Sequence, residues 1–214
     1  LIKILLVDDH IMVSSGMGRI LNDERGFSVL ATVGSGEEAV QFCRKHNPDI
    51  VLMDIHMPGI GGMEATKKIL RYCPDTRVIV VSVHTENPMP AKVMQLGASG
   101  FLSKDALPEE VIKAIRKVHS GQRYLSTKIA QQMALAEIDE SQQNPYQVLS
   151  DRELQIMNMI TRGKRVQDIS EQLSLSSKTV NSYRYRMFEK LQISGDVELT
   201  HLAIKYRMLD MNDL

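Results

Sequence analysis

The chain has no tryptophan and only two cysteines among its 214 positions. Cys43 and Cys73 stand at no metal-type spacing, so neither a disulfide framework nor a zinc site can be built from them. Reduced thiols in a cytoplasm are the reading that fits. No apolar run approaches the length that a bilayer crossing demands. The stretch Leu1 to Val7 is too short for a signal peptide and leads straight into Asp8. The expectation is therefore a cytoplasmic protein with no membrane partner. Net charge is also lacking, since 26 basic and 26 acidic residues cancel. That balance argues against a protein that coats nucleic acid through bulk charge.

What is present is strongly patterned. Ile50-Val51-Leu52-Met53 runs directly into Asp54, and Met57-Pro58-Gly59 follows. A short continuous apolar run bounded by turn residues reads as a strand buried on both faces, as in a parallel sheet. Asp54 then stands at the carboxyl end of a strand, where open α/β sheets carry their chemistry. Ile4-Leu5-Leu6-Val7 repeats the pattern and ends in Asp8-Asp9. If the two strands are parallel neighbours, three carboxylates converge. Anions so close repel, which implies a bound cation. All-oxygen ligands select a hard ion, with Mg²⁺ the best fit.

In order along the chain, apolar strand patterns alternate with amphipathic helix patterns. Strands are expected at 3–7, 27–33, 50–53, 77–82 and 100–103. Helices are expected at about 11–23, 35–46, 63–72, 88–96 and 108–119. In the first of these, Met12, Met17, Ile20 and Leu21 would share one side. Ser35 and Glu38 have capping-box spacing. Five βα units in 120 residues mean an α/β domain with a doubly wound, five-stranded parallel sheet. The next segment, 122–147, reads as a helix over 126–138 and a polar, breaker-ended linker over 139–145. Beyond it no strand pattern returns. Leu149-Ser150-Asp151-Arg152-Glu153-Leu154 holds a cap, a box and a hydrophobic staple, and opens the first of four helices at about 151–161, 166–173, 177–191 and 196–208. The pair 166–173 and 177–191 has the proportions of a helix-turn-helix. The expected domains are thus 1–121 and 148–214.

Charge is uneven despite the balance. Residues 1–121 hold 14 basic and 14 acidic side chains, whereas 162–190 hold seven basic against three acidic. On the helix 177–191, Val180, Tyr183, Met187 and Leu191 recur at three- and four-residue steps and should face the core. Lys178, Asn181, Ser182, Tyr185 and Arg186 are left on the open side. Asn can read an adenine edge, while Lys and Arg hold phosphates or read guanine.

Val7-Asp8-Asp9, Met53-Asp54 with Met57-Pro58-Gly59, Ser82, and Lys104 after Phe101-Leu102-Ser103 resemble the receiver domain of two-component response regulators, which has a flavodoxin-like fold. The run 149–154, with Ile169-Ser170 and Lys178-Thr179-Val180-Asn181, resembles the LuxR-type four-helix output domain. Together they resemble the NarL/FixJ class, and Asn181-Ser182-Tyr183-Arg184-Tyr185-Arg186 with Gly195-Asp196-Val197-Glu198-Leu199-Thr200 is similar to its GacA/UvrY/LetA type.

The resemblance implies that Asp54 is the phosphoryl acceptor. It implies that Asp9, Asp54 and the backbone carbonyl of His56 ligate Mg²⁺, with Asp8 reaching the ion through a water. Lys104 and Ser82 would hold phosphate oxygens, and Ser82 with Phe101 would form a switch. Lys178, Thr179, Asn181, Ser182, Tyr185 and Arg186 would meet double-stranded DNA. The implied partners are a sensor histidine kinase, of a hybrid type that passes phosphoryl through a phosphotransfer domain, and a second copy of the chain upon phosphorylation. Two other readings stay open on the residues alone. One is a phosphatase or phosphotransferase that turns over at Asp54, although His56 stands where such enzymes place a second Asp. The other is a protein-binding regulator that no longer binds DNA.

Overall fold

A computed structural model describes residues 1–83, 85, 89–138, 145–206 and 208. His84, read from sequence as a residue near the crevice, and 139–144 of the expected linker lie outside them. Leu1–Thr85 and Met89–Met133 form one compact unit, and the chain from Ala134 onward forms a second.

The first unit alternates strand and helix: β1 (Ile2–Val7), α1 (Ile11–Asp23), β2 (Phe27–Val33), α2 (Gly36–His46), β3 (Ile50–Asp54), α3 (Gly61–Tyr72), β4 (Arg77–Ser82), α4 (Met89–Gln95), β5 (Gly100–Ser103), α5 (Pro108–His119) and β6 (Tyr124–Leu125), and α6 (Thr127–Ile138) begins in it and ends in the second. The strands lie in the order β2-β1-β3-β4-β5-β6 and every pairing is parallel. β3 is buried along its whole length, as its unbroken apolar run requires. Ile4, Leu6, Ile50, Leu52, Ile79 and Leu102 pack with Leu21 of α1 and with Val111, Ala114, Ile115 and Val118 of α5. By strand alternation Leu5, Val51 and Met53 face the opposite side.

Three expectations change. The sheet has six strands, because Tyr124 and Leu125 pair with Gly100 and Phe101; two residues are too few to show a period of two. Met12 is 89% exposed and Ile20 39%, so of the four expected residues only Leu21 and, in part, Met17 turn inward, beside buried Ser14. Ser35 does accept from the Glu38 amide, yet the Glu38 carboxylate accepts from Gly34 N–H rather than from Ser35.

The second unit is helical: a 3-10 turn at Pro145–Val148, then α7 (Asp151–Thr161), α8 (Val166–Gln172), α9 (Ser177–Leu191) and α10 (Asp196–Lys205). The capping box at Ser150 and Glu153 forms as expected. Leu149 and Leu154 are both buried. Val180 and Met187 are the inner residues of α9, while Tyr183 and Leu191 are only half-buried. Fully buried Tyr146 meets Tyr206 edge to face at 6.1 Å between ring centroids.

Glu153 does more than cap. It is 2% exposed, and its Oε2 accepts from Ser150 N–H at 2.7 Å and from Lys190 Nζ at 2.6 Å. This ties the start of α7 to the end of α9. Burial alone would raise this carboxyl, but Lys190 and Ser150 outweigh it and hold it below the usual range. Its contribution is therefore complete above the ordinary glutamate pKa and is lost as pH falls through the lowered folded value. Glu153→Gln should destabilise the second unit by about 1–3 kcal/mol at neutral pH and flatten the fall of its stability as pH drops below the ordinary glutamate range. Urea unfolding at several pH values, followed by helical circular dichroism, measures both. An unchanged profile would refute the assigned role.

Candidate functional site

The chain crosses from one side of the sheet to the other between β1 and β3, and this is where an open parallel sheet leaves a crevice. Val7 lies opposite Met53, and Asp54 opposite Val81. The next residues after β1 are Asp8 and Asp9, so register alone places them beside Asp54. Ser82 pairs with Ser103, which puts Lys104 just past the end of β5.

The side chains then meet. Asp54 is 2% exposed. Its Oδ2 accepts from Lys104 Nζ at 2.7 Å and its Oδ1 from the His56 amide at 3.0 Å. Lys104 Nζ is also 2.9 Å from Asp8 Oδ2. Two carboxylates thus share one ammonium. Burial pushes the Asp54 carboxyl upward; Lys104 and the His56 amide oppose this, while Asp8 adds to it. Burial would lower the Lys104 ammonium, but bonds to both carboxylates outweigh that and hold it above the ordinary lysine range. The Asp54 shift is set first by burial, whereas the Lys104 shift is set by the two carboxylates it serves.

Asp9 and His10 complete the cluster. Ligand atoms of Asp8, Asp9, His10 and Asp54 all lie within 4.8 Å of one another. His10 Nδ1 is 2.9 Å from Asp9 Oδ1 and 3.1 Å from Asp8 Oδ1, and its backbone N–H donates to Asp8 at 2.8 Å. The signal for this contact in the sequence is the place of His10 immediately after two acids. The carboxylate oxygens form a donor set suited to a hard divalent ion. Leu6, Met17, Leu52, Val81 and Val111 line an apolar cavity below Asp8, Asp54 and Lys104.

Ser82 is fully buried, and its carbonyl accepts from the Lys104 amide at 2.9 Å. Phe101 is also fully buried, opposite Val80 in the sheet. In this structure the aromatic ring therefore already lies inward.

Two features had no signal in the linear sequence. Glu37, at the start of α2, accepts from Ile60 N–H at 2.9 Å and so braces the loop between β3 and α3. A Cβ added to Gly59, whose φ is +76°, would lie 2.5 Å from that same carboxylate. Gly62 is tighter still: its Cβ would stand 1.9 Å from the Asp54 carbonyl oxygen. Only a bare backbone lets α3 sit this close to the end of β3.

On α9, Lys178, Tyr185 and Arg186 are exposed, while Thr179, Asn181 and Ser182 are half-buried. Ser176 caps the helix by accepting from the Thr179 amide, and its hydroxyl lies 2.8 Å from Thr179 Oγ1. Ser182 donates to Lys178 O at 2.9 Å. Arg186 rests over the Tyr183 ring at 5.1 Å.

Comparison with known proteins agrees with this geometry. Residues 4–116 match the response regulator receiver domain, and 147–203 match the bacterial regulatory proteins of the luxR family. The response regulator UvrY of Escherichia coli is 59% identical over 215 residues, which cover all of this chain and 99% of that protein. The response regulator GacA of Pseudomonas aeruginosa is 50% identical, covering 98% of this chain and 99% of that protein. A crystal structure of a LuxR-family two-component response regulator from Aurantimonas is 35% identical, covering 64% of this chain and 98% of that one, with a TM-score of 0.62. RcsB from Salmonella, bound to a promoter in the presence of a phosphomimetic, shares the fold at 20% identity, with coverage of 94% and 97% and a TM-score of 0.69.

The chain belongs to the two-component response regulators that join a receiver domain to a LuxR-type DNA-binding domain. Within that family it is of the NarL/FixJ class and the GacA/UvrY type, and its function is regulation of transcription.

The contact at Gly62 is open to test. Gly62→Ala should destabilise the receiver by about 1–3 kcal/mol through overpacking. Gly16→Ala, on exposed α1 with nothing within 4 Å of the added carbon, should be neutral or stabilising by up to about 1 kcal/mol. Urea denaturation of both variants decides. A Gly62→Ala protein as stable as the parent would contradict the close approach.

Proposed function

We propose that Asp54 is the phosphoryl acceptor and that its modification controls DNA binding by the second unit. The observation that carries this is the Lys104 ammonium, held 2.7 Å from Asp54 and 2.9 Å from Asp8 at the open end of the sheet.

In the proposed reaction an Asp54 carboxylate oxygen attacks phosphorus in line as the donor's bond to phosphorus breaks. The new acyl phosphate brings three further oxygens into the crevice. Lys104 pairs with one as a point charge, and the Ser82 hydroxyl hydrogen-bonds another. Asp9, Asp54 and the His56 carbonyl would hold Mg²⁺ directly, and Asp8 would hold it through a water. The ion would supply charge neutralisation for the transferring group. Its requirement follows from the donor set: the carboxylates outnumber the single ammonium.

The expected donor is a sensor histidine kinase, acting through a phosphotransfer domain. Ile11, Met12 and Val13 are 78%, 89% and 50% exposed in the first turn of α1, immediately after the acidic pair. Leu107, the N-cap of α5, is 69% exposed. Such apolar side chains at the crevice suit a protein donor better than a small phosphate ester. That observation also favours a regulator over a phosphatase. Self-phosphorylation and dephosphorylation at Asp54 would be the only covalent chemistry.

One helix-turn-helix meets one half-site, so useful affinity calls for two copies on one DNA. Phosphorylation is expected to shift the chain from monomer to dimer in the cytoplasm, with Ser82 and Phe101 as the residues that respond. Lys178, Thr179, Asn181, Ser182, Tyr185 and Arg186 would form the DNA surface.

With Mg²⁺ and acetyl phosphate, intact-mass analysis should show one added phosphoryl group, and sedimentation should show dimer. Asp54→Asn, and chelation of Mg²⁺, should abolish both. Undiminished labelling of Asp54→Asn would overturn the assignment of the acceptor.

A further inference from the structure

The DNA face of α9 contains an arginine that is already spoken for. Arg184 donates from Nε and Nη2 to Asp196 Oδ1 and Oδ2 at 3.3 and 2.5 Å, a two-pronged pairing of fork and carboxylate. Its plane lies over the Phe188 ring at 5.8 Å. The remaining terminal nitrogen, Nη1, donates to Asn181 Oδ1 at 2.9 Å. The arginine side chain is 23% exposed. Asp196 opens α10, where a carboxylate is favoured by the helix N-terminus. The guanidinium is thus fixed from three sides before any DNA arrives.

We propose that Arg184 is a positioning residue for sequence readout: it locks the Asn181 carboxamide in one orientation and contacts no phosphate itself. This rests on the reading that α9 carries the base-reading residues.

The argument is one of donors and acceptors. A guanidinium has only N–H donors, so the amide atom that faces it must be oxygen. A free asparagine can turn its amide end for end, exchanging donor and acceptor at the surface. Arg184 forbids that exchange. The atoms left to the groove are the two Nδ2 hydrogens and the second lone pair of Oδ1. That is the donor-and-acceptor pair which adenine matches with N7 and its N6 amino group. Guanine offers two acceptors on the same edge, so it would face the fixed oxygen with a lone pair. Guanine matches neither orientation of the amide, and the lock holds ready the one that adenine matches. The charge on Arg184 adds nothing to phosphate binding, because Asp196 already neutralises it.

The two possible roles of an arginine on this helix differ in what salt does. A phosphate contact releases about one counterion, so its loss lowers the slope of log K against log salt by about one. A positioning residue leaves that slope unchanged. The full-length chain, phosphorylated with acetyl phosphate and Mg²⁺, should be used to select from a randomised duplex library. Mobility shifts over a salt series on the selected duplex, its base-substituted forms and random duplex then give specificity and slope together.

Arg184→Ala and Asp196→Asn should each reduce discrimination at the base position that Asn181 reads by about tenfold. Arg184→Ala should leave the salt slope as in the parent, whereas Asp196→Asn, which uncovers the arginine's charge, is read for base preference alone. Asp196→Asn keeps the arginine and removes only its anchor, so it serves if Arg184→Ala fails to fold, as judged by circular dichroism. A slope lowered by about one in Arg184→Ala, with base preference intact, would overturn the proposal in favour of a phosphate contact. Unchanged preference in both variants would overturn it as well. Asn181→Ala separates the two levels of the argument. Lost preference in Asn181→Ala, with none lost in the other two, sinks the lock alone. Unchanged preference in Asn181→Ala sinks the assignment of Asn181 as a reader.

Discussion

The pairing of Asp54 with a single ammonium that Asp8 also claims is the constraint on which the receiver depends. Lys104 Nζ stands 2.7 Å from one carboxylate and 2.9 Å from the other, and Asp9 lies within the same cluster. Like charges held this close disfavour their own ionised form. They persist because the sheet leaves no alternative: β1 and β3 are neighbours in fixed register, and both end in acid. Glu37 and Gly62 hold the loop and helix that close the crevice from the α3 side. The excess negative charge is what a divalent cation would offset.

The second unit handles charge in the opposite way. Its principal ion pairs are satisfied internally and join helices to one another. Glu153 with Lys190 links α7 and α9, and Arg184 with Asp196 links α9 and α10. Consumption of Lys190 and Arg184 in this way leaves Lys178 and Arg186 exposed on α9. The local basic excess is therefore smaller at the surface than a count along the sequence implies. Few basic groups on the surface of each copy would fit the proposed pairing of two copies on one DNA.

Much of this was legible in the chain itself. Strands β1, β3 and β4 declare themselves because burial on both faces demands unbroken apolar runs. Their acidic and hydroxyl ends then follow by position. The caps at Ser35, Ser150 and Ser176 and the helix-turn-helix are local patterns, and local patterns survive translation into structure. What escaped is contact between distant segments. Glu37 braces Ile60 across 23 residues, and Arg184 reaches Asp196 across a turn and a change of helix. β6 has two residues and no period to detect. Met12 obeys the helical period yet is 89% exposed, and in that first turn it is Ser14 that is buried. Periodicity reports which side of a helix is apolar; it does not report where the partner surface stops.

The most direct test of the charge imbalance is the thermal midpoint of the receiver in the full-length chain, measured with and without Mg²⁺, in the parent and in Asp9→Asn. Removal of one carboxylate relieves repulsion and removes a ligand at the same time. Asp9→Asn should melt higher than the parent when Mg²⁺ is chelated, by a few degrees for about 1 kcal/mol relieved. The parent alone should then gain stability as Mg²⁺ is added, by the linkage of binding to folding. An Asp9→Asn protein that melts lower than the parent without Mg²⁺, or that gains as much from the ion, would contradict the account.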